Sequence, residues 1–156
     1  MNSLDSDKAA EGFAVDRAAI EEIADACRRG LDTLRGIDGS MFAEFPRGAC
    51  APASEVVGRL LKEQLGYDGM YVCGDGHPNL PSNQTHAWFE VVDIVVDVTY
   101  DQFDGTGLSG WLFERDKGWH GQFTSVVRRD GFCMPSTWPS YPFDGYWAVL
   151  NFRKPA

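Results

Sequence analysis

Apolar residues recur at three- and four-residue steps from about Phe13 to Leu34. Ile20, Ile23, Cys27, Leu31 and Leu34 share one stripe, with Glu21, Glu22, Arg28, Arg29 and Asp32 between them. That period predicts an amphipathic helix with Asp16 as N-cap and Cys27 as a small buried hydrophobe. The segment Gly36-Ile37-Asp38-Gly39-Ser40 breaks the pattern, and Pro46 and Gly48 make the next stretch turn-prone. A second helix is predicted from Ala51 to Leu65. Its apolar face is Val56, Val57, Leu60, Leu61 and Leu65, Pro52 confines its start to the vicinity of Cys50, and Gly66 stops it. Beyond this point the period changes to two. Met70–Cys73, Thr85–Val92 and Ile94–Thr99 read as strands, the last two joined near Asp93. Phe123–Val127 and Tyr146–Phe152 read as further strands, and Leu112–Asp116 as a short helix. Gly74–Gln84 and the aromatic, proline-rich Met134–Phe143 are predicted loops, and residues 1–12 a frayed polar end. Helices followed by strands predict one α+β domain over residues 1–156, its N-terminal helices packed on an antiparallel sheet.

The formal net charge of −9 repels phosphate at long range and argues against a nucleic-acid partner. The neighbours Arg128 and Arg129 read as a solvated surface pair. No apolar run approaches the roughly 18 residues that a membrane span needs. The first residues lack a basic segment followed by an apolar one, so the expected location is cytoplasmic. The cysteines at 27, 50, 73 and 133 are spaced by 23, 23 and 60 residues, with no paired motif. That predicts free thiols rather than a disulfide scaffold or a zinc site.

Three residues suggest chemistry. Cys50 stands at the mouth of the second helix, where unpaired backbone N–H groups and the helix dipole favour a thiolate, the nucleophilic form. His86 opens the strand Thr85–Val92, on one face with Trp88 and Glu90. Asp97 is a carboxylate inside an apolar strand run and needs a partner there. If the hairpin pairs Glu90 with Val95, His86 becomes the diagonal neighbour of Asp97. A two-residue turn at Val91-Val92 would put them directly opposite. Either register lets Asp97 orient His86 as a general base.

The residues Gly48-Ala49-Cys50 at a helix start, His86-Ala87-Trp88-Phe89-Glu90-Val91 and Val96-Asp97-Val98-Thr99 resemble the core of transglutaminase-like proteins, within the papain-like cysteine fold. The likeness spans Phe45 to Phe103. It implies Cys50 as nucleophile, His86 as base and Asp97 as orienting acid, in that chain order. Arylamine acetyltransferases share the order and are less similar. The expected activity is a cysteine-dependent hydrolase acting on an amide or thioester carbonyl through an acyl-enzyme, foremost a peptidase. Acyl transfer, transglutamination and glutamine deamidation are alternatives, and an idle binding module of the same fold is a rival from another class. The expected partners are a peptide, a protein or a small acyl substrate, with no metal or organic cofactor. The Cys50 N–H is one oxyanion donor. Gln102, Gln84 and Tyr71 are candidates for the second, and Trp88 is a further substrate-site candidate. Cys73 is expected in the core, His77 and His120 in solvent, and Ser54 as a hydrogen-bonding rather than reacting group. Trp138–Tyr146 and Gly74–Gln84 are expected to wall the cleft.

Overall fold

The computed structural model describes residues 14–131 and 141–153. The expectations for residues 1–12, for Cys133 and for most of the aromatic loop fall outside these. The elements are α1 (Arg17–Asp32), α2 (Cys50–Leu65), β1 (Met70–Asp75), β2 (Thr85–Val91), β3 (Ile94–Val96), β4 (Leu112–Glu114), β5 (Ser125–Asp130) and α3 (Phe143–Arg153), with short 3-10 turns at Tyr100–Gln102 and His120–Gln122. The class is α+β. The five strands form an antiparallel sheet in the order β4-β3-β2-β1-β5. None of the described helices is long and apolar enough to cross a membrane.

Local chemistry explains the two N-terminal helices. Asp16 caps α1 by accepting from the Ala19 N–H at 3.1 Å. Gly66 ends α2 in the left-handed conformation at φ 74°, which glycine enters without steric cost. The α1 stripe, the α2 stripe, and Tyr146 and Val149 of α3 close over one face of the sheet around Phe89, Val91, Ile94 and Val96. Contact is close because Gly58 lacks a side chain: a Cβ there would stand 2.5 Å from the Phe89 ring. The alternate residues of the same strands, Val72, Trp88 and Val95, form a second core on the opposite face with Trp119 and Phe123, supplied by the segment between β4 and β5.

Two elements differ in type from the sequence reading. Tyr146–Phe152 lies within the helix α3, and Leu112–Glu114 is a strand. Alternating aromatics disguise α3: Tyr146 and Val149 face the core while Trp147 and Phe152 stay exposed, so no single stripe marks the helix. β4 is held by pairing with β3, with Val95 opposite Phe113, a tertiary contact that local propensity does not report. The final strand is shifted, Ser125–Asp130 rather than Phe123–Val127. Nor are Arg128 and Arg129 a solvated pair. On the edge strand β5 they point to opposite faces, Arg128 to the buried Glu90 at 2.9 Å and Arg129 to the buried Glu55 of α2.

Candidate active site

Cys50 is the first residue of α2. Among the described residues no backbone acceptor takes the N–H of Cys50 or Ala51, and Pro52 has none to satisfy. The helix start therefore offers two free donors beside the sulfur. Ser54 is spent on the Cys50 carbonyl at 2.7 Å, as expected of it.

The hairpin settles on the Glu90–Val95 register, closed by the two residues Val92 and Asp93 between the paired Val91 and Ile94. His86 and Asp97 are both fully buried. The His86 Nε2–H donates to Asp97 Oδ2 at 2.7 Å. Nδ1 finds no aligned hydrogen-bond partner among the described residues. The ring lies close enough to the Cys50 thiol for each group to shift the titration of the other.

The two shifts match a thiolate–imidazolium pair. Burial alone would raise the Cys50 pKa, but His86 and the Ala87 backbone N–H outweigh it and leave the thiol below its usual value. Burial would lower that of His86; the Asp97 charge and hydrogen bond, with a smaller contribution from Cys50, overcome this and raise it to about 10. Asp97 is held well below the ordinary carboxylate range. Burial opposes that direction, and the His86 charge and the hydrogen bonds from His120 and His86 impose it. In contrast, burial pushes the Cys27 thiol up to about 12.

His120 was expected in solvent and is instead buried, with its Nε2–H on the same Asp97 oxygen at 2.7 Å. The other oxygen, Oδ1, accepts the Thr99 N–H at 3.0 Å. His86, Asp97 and His120 are the one group among the described residues whose side chains converge as ligands of an ion would, within 4.8 Å. The two His–Asp separations of 2.7 Å are hydrogen-bond lengths. Ligands about 2.0–2.1 Å from a tetrahedral zinc would stand roughly 3.3 Å apart. His77 is also buried rather than solvated: Nε2–H donates to the Trp119 carbonyl at 2.9 Å, Nδ1 accepts from the Asn79 N–H, and the ring packs on Trp119 and Phe123.

The remaining candidates separate. Trp88 offers no oxyanion donor, because its indole N–H is bonded to Glu90 at 2.9 Å; its ring walls His86 and His120. Gln84 turns back on the carbonyl of its neighbour Thr85. Gln102 is a strap, accepting from the Gly48 N–H and donating to the Thr99 carbonyl. Tyr71 does lie near the sulfur: its phenol is raised by burial and then by the Cys50 charge, and its ring carries the Arg129 guanidinium at 4.2 Å. Cys73 is half-exposed beside it rather than core. Of the expected aromatic wall, Tyr141 and Tyr146 pack in the helical core. The sequence reading missed Arg28, which donates to the Val98 carbonyl at 2.9 Å and to Asp101 at 2.7 Å and so pins α1 to the Asp97 segment. Its place among the polar residues of the α1 stripe gave no signal.

No family model, no curated protein and no solved structure matches this chain.

Proposed function

We propose that this chain is a cysteine-dependent hydrolase of amide or thioester bonds, foremost a peptidase, with a papain-like arrangement of the transglutaminase-like kind. The observation that carries the reading is the fully buried His86, fixed by Asp97 at 2.7 Å and lowering the pKa of a thiol at a helix N-terminus. The Cys50 thiolate attacks the carbonyl carbon, and the Cys50 and Ala51 N–H groups receive the developing oxyanion. As the C–N or C–S bond breaks, the His86 imidazolium gives its proton to the departing amine or thiol, leaving a thioester on Cys50. Neutral His86 then takes a proton from water, which attacks the thioester, releases the acid and restores the thiol. An amine in place of water turns the same cycle into acyl transfer, and a glutamine side chain as substrate turns it into deamidation.

The test is a panel of peptide, aryl amide and aryl thioester substrates, with mass analysis of the quenched protein. A one-per-chain burst of leaving group and an acyl adduct on Cys50 are expected. Absence of any adduct across the panel, with Cys50 alkylated no faster than an ordinary exposed thiol, would leave a binding module without turnover.

A further inference from the structure

We propose that His120 is a positioning residue of this centre: by donating its Nε2–H to the same Asp97 oxygen that accepts the His86 Nε2–H hydrogen bond, it aims that oxygen and takes up part of its charge. Its catalytic meaning rests on the function proposed above. The hydrogen bonding itself stands independently.

The two Nε2 atoms lie at equal distances of 2.7 Å from Oδ2. Thr99 anchors Oδ1 through its N–H at 3.0 Å and its hydroxyl at 3.4 Å. The carboxylate is therefore clamped at both oxygens, and loss of one donor would not free it to swing away. His120 is fixed in turn by its surroundings, with Trp88, Phe113 and Trp119 rings 4.9–5.1 Å from its own. This apolar cage leaves its Nδ1 without a hydrogen-bond partner among the described residues. Among the described residues its one side-chain hydrogen bond is the one to Asp97. Among the described residues, the titratable groups around His86 and Asp97 are Cys50 from α2, His120, and Tyr100 from the first 3-10 turn. Arg28 of α1 stops at the Val98 carbonyl and Asp101.

A carboxylate bonded to His86 alone would concentrate its charge on that imidazolium and hold the proton harder. Shared between two donors, it still orients His86 but lets the proton leave more easily, as protonation of a departing group requires. His120 thus moderates the ion pair.

The full chain carrying nitrogen-15 histidine tests this by NMR. In the wild type, His86 and His120 should each show a hydrogen-bonded Nε2–H, and Asp97→Asn should displace both signals. In His120→Phe, which keeps a ring in the cage, the His86 titration should move upward by about one pH unit, a tenfold gain in proton affinity. In His120→Gln, whose amide can still donate to Oδ2, most of that shift should be absent. A His86 titration that stays or falls in His120→Phe overturns the proposal. So does a wild-type His120 whose Nε2 carries no hydrogen-bonded proton, a measurement that stands even if His120→Phe fails to fold. No readout needs turnover, so an inert Cys50 would sink the hydrolase reading and leave this result separate.

Discussion

The Gly48 backbone N–H donates to the Gln102 side-chain oxygen at 3.3 Å across 54 residues of chain. The same amide donates to the Thr99 carbonyl at 3.1 Å, and Thr99 in turn holds Asp97. One side chain thus ties the loop that leads into Cys50 to the segment that carries Asp97. Gln102→Leu removes both bonds at similar volume. It should cost about 1–2 kcal/mol of stability and slow Cys50 alkylation several-fold, while Gln102→Glu keeps the Gly48 acceptor and should lose less. Wild-type alkylation kinetics in Gln102→Leu would show that the strap does not position Cys50.

The Cys50–His86–Asp97 unit predicts a set of coupled thiol reactivities. His86→Ala removes both the hydrogen bond and the charge that lower the Cys50 pKa. Its alkylation midpoint should rise toward or beyond the free-thiol value of about 8.5, because burial then acts unopposed by the ring. Asp97→Asn should reduce turnover by orders of magnitude. The losses should not add: Cys50→Ala/Asp97→Asn should turn over no more slowly than Cys50→Ala. Identical pH profiles for wild type and His86→Ala would mean that the thiol and imidazole do not communicate.

Stability should follow the same charges. Asp97 has a lowered folded pKa, so its contribution is complete above the unfolded value of about 3.9 and disappears as pH falls through the folded one. His86 has a raised folded pKa of about 10. Its contribution is complete below the unfolded value of about 6.5 and is lost as pH rises through the folded one. Cys50, with its lowered pKa, gains as His86 loses, so the alkaline limb is cleanest in Cys50→Ala, where the remaining cause of the raised His86 value is Asp97. Urea unfolding of Cys50→Ala with and without His86→Phe should give a difference largest near pH 5–6 and shrinking above about pH 7. A difference that grows with pH would reverse the assigned direction.

Val92 occupies the β2–β3 turn at φ 55° with its side chain more than half exposed. A β-branched residue is strained there and glycine is not. Val92→Gly should stabilise the chain by about 1 kcal/mol, read from the denaturation midpoint, with Cys50 reactivity unchanged. A destabilised variant would mean that Val92 packing outweighs its backbone strain.

The sequence carried the His86–Asp97 contact better than the architecture around it. Periodicity located α1 and α2, cap chemistry placed Asp16 and Gly66, and the alternation through His86, Trp88 and Glu90 brought His86 to Asp97 in one of the two foreseen registers. α3 escaped because both its faces are aromatic, and β4 because it exists only by pairing. His120 sits in a glycine-rich stretch whose burial is created by Trp88 and Phe113 from distant strands. Its one signal was indirect: a carboxylate enclosed in an apolar strand run needs more donors than a single imidazole supplies.

The margins of the sheet bear on how the molecule behaves in company. β4 is three residues long, and β5 breaks its valines with Arg128 and Arg129, each committed to a buried glutamate on its own side. Short or charged borders refuse strand-to-strand addition by a neighbouring molecule. The arginines that complete the two cores therefore also guard colloidal integrity. Arg128→Val together with Arg129→Val would leave four valines in succession along the β5 border and remove one charged partner each from Glu55 and Glu90. Such a chain would be expected to leave solution by intermolecular β-stacking before any deficit in its chemistry could be seen.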